Sequence, residues 1–202
     1  MTRTIVALSL EHLVLVFAAV SLACLVAIPL AVWCFRHRSP GSLVLRLADI
    51  IQTVPSLALF GLLIPFAGLG PKLAIFALFL YALLPILRST VVGLEGVPVD
   101  VLEAATSLGM TASERLREVE LPLAAPSILS GLRIATVTTI GTATVAAAIG
   151  AGGLGVLLYR GLATVETSLL IAGAAPAALM AIAADLGFQW IEGKYSYSRR
   201  SH

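Results

Sequence analysis

The chain has 202 residues, 59% hydrophobic and 12% charged, with a mean hydropathy of +1.01 and a formal net charge of +2. So apolar a composition excludes an ordinary soluble globular domain and makes lipid the expected surrounding for most of the surface. No nucleic-acid partner is expected; the lipid bilayer is.

A helix that crosses the hydrocarbon needs roughly 20 largely apolar residues, because about 1.5 Å of rise per residue must cover about 30 Å. Five stretches qualify: residues 13–35, 50–69, 73–92, 124–149 and 167–191. Helices are the only suitable spanning form here, since barrel strands would alternate polar and apolar residues. The predicted fold class is all-α: one membrane-embedded bundle of about five transmembrane helices over residues 1–202, without repeats or interdomain linkers.

The first span is too long for a signal-peptide core of roughly 7 to 15 residues. Basic residues follow it as they follow a stop-transfer segment, so it is expected to remain as an uncleaved helix. Cys24 follows Ala23 as at a lipid-attachment site, but Ser21 replaces the larger aliphatic residue such a site wants. Cys24 and Cys34 lie ten residues and about 15 Å apart along that helix, beyond the reach of a disulfide. Pro29, Pro55, Pro65, Pro85 and Pro176 each remove a helix amide and are candidate kinks, in a moving bundle or an ordinary one.

Ten of the thirteen Lys and Arg residues fall on one side of this arrangement. Arg36, Arg38 and Arg46 lie between the first and second spans, Arg88, Arg115, Arg117 and Arg133 bracket the loop between the third and fourth, and Lys194, Arg199 and Arg200 follow the fifth. Arg3, Lys72 and Arg160 fall on the other side. Positive charge is retained in the cytoplasm, which predicts an external N-terminus, a cytoplasmic C-terminus and a cytoplasmic loop at about 98–122.

Within that loop Pro98 ends the preceding segment. Asp100, with Glu103 three residues on, has the spacing of a capping box and is the expected N-cap of a short helix that Gly109 stops. A second polar helix is expected over about 112–120, after which Leu121-Pro122 turns the chain back into the membrane. Ala104, Ala105, Leu108, Leu116 and Val119 give the resulting knob a small apolar face.

Gly150-Ala151-Gly152-Gly153-Leu154-Gly155 fits G-x-G-x-x-G formally, but it follows a membrane helix rather than a strand and has no βαβ unit around it. These glycines are expected to turn the backbone and pack closely at the outer face. No catalytic set or metal-ligand cluster is recognisable, His12, His37 and His202 being scattered at termini and loops. Asp185 is an acid within a span, where a functional role is the default. Its closeness to the basic end favours a structural ion pair with Arg88 or Arg133 over a part in ion coupling.

Glu103-Ala104-Ala105, Gly109 and Leu121-Pro122 together resemble the EAA signature of membrane subunits in ATP-binding-cassette importers, with Val119 near the place where isoleucine is common. Residues 51–58, 81–88, 140–144, 150–155 and 172–185 are similar to the osmoprotectant branch of that family, which imports glycine betaine, carnitine or choline. The resemblance covers roughly residues 45–195. It implies a non-catalytic permease subunit in a bacterial-type inner membrane, with Glu103, Ala104, Ala105, Gly109, Leu121 and Pro122 as the ATPase-coupling element. It further implies a second permease subunit, cytosolic ATPase subunits that hydrolyse ATP with Mg, and an external substrate-binding protein. No cofactor is expected on this chain itself.

Gln52, Thr53, Thr138, Thr142 and Thr144 are polar positions in apolar helices that could line a translocation path or serve interhelical hydrogen bonding. Phe60, Phe66, Phe76, Phe79 and Tyr81 could supply cation–π faces for a quaternary ammonium, though packing is the commoner use of such residues. Two alternatives stay open: the same machine for another small substrate such as methionine or another amino acid, and an ion-coupled carrier built on Asp185.

Overall fold

The computed structural model describes residues 2–197, so Arg199, Arg200 and His202 lie outside the described residues. Three long helices are apolar enough to cross a membrane: α1 (Thr2–Arg36), α4 (Pro71–Glu95) and α9 (Thr167–Tyr197). So is the continuous helical run Ala112–Ala143. These match the first, third, fourth and fifth expected spans.

The second expected span is not straight. Helices α2 (Arg38–Thr53) and α3 (Ser56–Ala67) meet at 104° across Val54-Pro55. The cause is local: Pro55 brings no amide, and its ring forces the preceding residue out of the helical region, so Val54 sits at φ −70°, ψ 127°. Pro29, Pro65, Pro85 and Pro176, by contrast, all stay inside helices.

Two further boundaries differ from expectation. The fourth span is α-helical only as far as Ala143; a 3₁₀ segment, Val145–Ile149, continues it to Gly150, whose φ of +76° ends the run. A short helix, α8 (Gly155–Thr164), then precedes α9. Gly150, Gly152 and Gly153 all have positive φ, the turn expected of the glycine cluster.

Helix α4 is the centre of the bundle. It packs against α1 on one side and α7 (Leu121–Ala143) on the other, with α2 and α3 also laid on it, while α9 packs on α7 and α8. Leu73, Ala74, Ala77, Leu78, Ala82, Ile86 and Leu87 of α4 are all wholly buried. The α4–α7 seam is closed by glycine: a Cβ on Gly131 would lie 2.5 Å from the Ser89 Cβ, and one on Gly93 would lie 2.8 Å from the Ser127 Cβ. Small residues at such crossings let backbones approach where lipid supplies no hydrophobic drive to associate.

Gly131→Leu is therefore expected to destabilise the folded bundle in detergent by about 1 to 3 kcal/mol, the usual range for overpacking. Gly187→Ala, where nothing lies within 4 Å of the added methyl, should not. Equal thermal midpoints for the two variants would refute the glycine seam.

Candidate functional site

Between α4 and α7 the chain projects as a knob. Helix α5 (Val99–Ser107) starts after Pro98, with no side-chain cap, so Asp100 is not the N-cap. Asp100 lies instead in the first turn, where a carboxylate still complements the helix dipole. Proline explains the shift, since it fixes its own φ and sets the entry without a side-chain acceptor. The end of α5 is as expected: Gly109 has φ +81°, its amide bonds to the Thr106 carbonyl and the Met110 amide to the Ala105 carbonyl. That is a Schellman closure, which selects glycine at this position.

The capping box occurs one helix later, in Thr111-Ala112-Ser113-Glu114. The Thr111 hydroxyl accepts from the Glu114 amide, and the Thr111 amide donates to Glu114 Oε2 at 2.7 Å. The Thr111 hydroxyl also donates to Glu114 Oε2 at 2.7 Å, and this bond together with that from the Thr111 amide holds the solvent-facing Glu114 carboxyl below the usual carboxylate range. Helix α6 (Ala112–Arg115) then passes through a π-turn, Leu116–Glu120, directly into α7. Leu121-Pro122 thus does not turn the chain. Pro122 sits in the first turn of α7, and the wide turn before it relieves the clash its ring would make with a carbonyl four residues back.

Of the six coupling candidates, Glu103, Ala104 and Gly109 are exposed on the knob and Ala105 is buried. Leu121 and Pro122 belong to α7 rather than to the projecting face. Glu103 lines an open groove of about 430 Å³ with Val99, Leu102, Thr106, Ser107 and Arg115. Leu108, at 83% exposed, and Val99, at 68%, leave apolar surface beside it. Sequence reasoning missed Arg115 and Glu120: Arg115 Nε lies 2.8 Å from Glu120 Oε1, and Arg115 Nη1 donates to Thr106 Oγ1 at 3.1 Å. Arg36 also reaches the loop, donating to the Ala112 carbonyl at 2.9 Å.

Deeper in the bundle, Gln52, Tyr81, Pro85, Ile134, Thr138, Thr139 and Thr142 line a cavity of about 210 Å³ between α2, α4 and α7. Gln52, Thr138 and Thr142 are three of the five expected path positions. Thr53 and Thr144 lie elsewhere, their hydroxyls bonded to the Ile50 and Gly141 carbonyls near the ends of their own helices. Thr138 and Thr142 also bond back to their own helix, to Ile134 and Thr138 carbonyls. Thr139, 1% exposed, has a hydroxyl without a partner.

The α2–α3 break borders this cavity and is tied to α4. The Tyr81 hydroxyl donates to the Val54 carbonyl, and the Gln52 amide donates to the Tyr81 carbonyl at 2.9 Å. One turn away, Arg88 grips Asp49 at 2.8 Å. Of the candidate aromatics only Tyr81 lines the cavity; Phe60 is buried in the core and Phe66 is 86% exposed.

Asp185 pairs with Arg133 at 3.6 Å, not with Arg88, and also accepts from Gln189. Glu192 shares Arg133 at 3.2 Å. At the end of the bundle away from the knob, His12 is fully buried rather than in a terminus or loop, and its Nε2 donates to the Ile140 carbonyl at 3.0 Å. Its neighbour Glu11 accepts from the Gly153 amide at 3.0 Å, so α1 clamps the glycine turn. Among the described residues no three His, Cys, Asp or Glu side chains converge on a metal position.

Residues 19–197 match the family model described as the inner membrane component of binding-protein-dependent transport systems. The choline transport system permease protein OpuBB of Bacillus subtilis is 45% identical over 175 residues, 87% of this chain and 81% of that one. The osmoprotectant import permease protein OsmW of Salmonella typhimurium is 45% identical over 183 residues, 88% of this chain and 85% of that one. In fold, the chain is similar to a subunit of the inward-facing MetNI methionine ABC transporter, with a TM-score of 0.88 and 21% identity over 96% of this chain and 97% of that one.

Tyr81→Phe removes a single donor from the helix break. It is expected to cost about 1 kcal/mol, the net worth of a typical hydrogen bond, while leaving the chain folded. An unchanged thermal midpoint would show that packing alone holds the break.

Proposed function

The chain belongs to the family of binding-protein-dependent transport system inner membrane components, and from that premise we propose that it is the permease subunit through which an ATP-driven importer admits small quaternary-ammonium osmoprotectants. The observation that carries this reading is the knob: a short helix ended by a left-handed glycine, presenting Glu103 and Ala104 beside an open groove, at the end of the bundle where Arg36, Arg115 and Arg117 gather. The retention of positive charge supports reading that basic end as cytoplasmic, with the C-terminus inside and the N-terminus outside, in a chain that is one permease domain of the inner membrane.

A cytosolic ATPase docks its cleft over the α5 knob. Glu103, Ala104 and Gly109 form the contact surface, Ala104 and Gly109 permitting close approach, and the buried Ala105 packs the knob behind them. ATP and Mg are bound and hydrolysed by that partner and not by this chain. A second permease subunit, identical or related, completes the pathway, and an external binding protein delivers the substrate. Closure of the ATPases draws the two knobs together and opens the path outward; hydrolysis resets it.

The cavity fits the substrate class in its chemistry. A trimethylammonium group donates no hydrogen bond and needs no carboxylate if it is passed rather than stored, and Tyr81 offers an aromatic face. The carboxylate of betaine or carnitine, or the hydroxyl of choline, is an acceptor for the Gln52 amide and the free Thr139 hydroxyl. An ion-coupled carrier finds little support, because Asp185 is engaged by Arg133.

Purification in mild detergent is expected to recover a stoichiometric ATPase with the chain, and betaine or choline, but not methionine, to compete for uptake. Competition by methionine alone would move the substrate to amino acids. Glu103→Lys should leave insertion intact and lower transport by more than tenfold; preserved transport would remove Glu103 from the coupling element.

A further inference from the structure

The helical run that leaves the knob contains one residue too many for an α-helix. The Leu121 amide bonds to the Leu116 carbonyl, five residues back, so Leu116–Glu120 is a single π-turn set between α6 and α7. Such turns are rare and concentrate at functional sites. This one lies where the knob meets a membrane-spanning helix.

The Arg115–Glu120 pair has the same spacing. In an α-helix of 3.6 residues per turn, the fifth residue on stands about 140° round the axis from the first. In a π-turn it comes back over it, and there Arg115 Nε and Glu120 Oε1 are 2.8 Å apart. Glu120 is 2% exposed and its second oxygen has no partner, so Arg115 is what keeps a carboxylate in this buried place. Pro122 disfavours the α register, in which its ring would press on the Glu118 carbonyl. Backbone bonding favours the α register, because it restores the regular ladder.

Arg115 also faces the other way. Its Nη1 donates to Thr106 Oγ1, and that hydroxyl donates to the Leu102 carbonyl of α5 at 2.8 Å. Arg115 is part of the groove that Glu103 lines. A partner that fills the groove therefore meets the side chain that is paired with Glu120.

We propose that the Leu116–Glu120 π-turn is the switch that passes motion of the knob into α7, and that Arg115 and Glu120 are its positioning residues. When a partner in the groove draws Arg115 off Glu120, the turn tightens to α geometry. One residue leaves the turn, and the knob rotates by about 100° and advances by about 1.5 Å relative to α7. The proposal rests on the reading of α5 as the ATPase-docking element, but it concerns what happens after docking.

The test uses the assembled importer in proteoliposomes, with its ATPase and binding protein, and reads two quantities: ATPase recovered with the permease, and substrate transported per ATP hydrolysed. Glu120→Gln is expected to retain the ATPase and to lower transport per ATP at least tenfold, and Arg115→Glu with Glu120→Arg to recover at least half of it. Thr106→Val, an exposed change that leaves the pair intact and does not threaten folding, should lower the ratio about threefold. Transport per ATP unchanged in Thr106→Val and Glu120→Gln would overturn the switch. So would a fall in transport that only tracks lost complex, or a reversed pair no better than either single variant. An unmodified chain that recovers no ATPase would instead overturn the docking reading, and the switch with it.

Discussion

The approach of α4 and α7 is the constraint on which the other features depend. Gly93 and Gly131 bring the two backbones close enough that no larger residue fits between them. The knob is the connection between these two helices, and the polar cavity lies where α2 joins the same pair. Any relative motion of α4 and α7 must therefore appear at both places. The seam is held by dispersion contacts over small residues, and its register is fixed by the two points where only glycine fits.

Lipid imposes the second requirement, that backbone polar groups find partners inside the protein. The break at Val54-Pro55 violates the helix ladder and is repaired by a side chain: the Tyr81 hydroxyl takes the Val54 carbonyl, and Gln52 returns the favour to the Tyr81 carbonyl. The charged groups follow the same logic. Asp185 and Glu192 share Arg133, and Asp49 takes Arg88, so the cavity between them is left polar but uncharged. If the cavity is the path proposed above, its neutral donors suit passage more than retention, since they bind a solute weakly enough to release it.

Much of this was legible in the sequence, and the failures have local causes. Span positions follow from the length of apolar runs, and four of the five emerged as unbroken helical runs. Pro55 could not be separated from Pro65 or Pro85 by composition, because whether a proline kinks or breaks a membrane helix depends on the neighbour that satisfies the freed carbonyl. Asp100 and Thr111 both head a capping-box spacing; the proline before α5 decided against the first. Leu121-Pro122 looked like a stop because proline ordinarily ends a helix, and a π-turn that absorbs it leaves no trace in hydrophobic periodicity. Arg115 and Glu120 looked like two members of a solvated charge run, since i,i+5 is not a contact distance in an α-helix. Thr53 and Thr144 were chemically indistinguishable from Thr138 and Thr142, and only the fold sorts them.

The two ends of α7 are held differently. At the far end, His12 grips the Ile140 carbonyl, Glu11 grips the Gly153 amide, and Gly155 lies against the Thr144 carbonyl so closely that a Cβ would stand 1.9 Å from it. At the near end the helix begins in the Leu116–Glu120 π-turn, which the proposed switch would tighten. A rotation that enters α7 from the knob meets a fixed end after about five turns and must be taken up between them. The C-terminal part of α7, on both sides of the clamped Ile140, is where Ile134, Thr138, Thr139 and Thr142 line the cavity with Gln52 and Tyr81. Under the proposed switch, a rotation entering at the near end is therefore felt most at Ile134, the cavity residue farthest from the clamp, and least at Thr142, which lies past it.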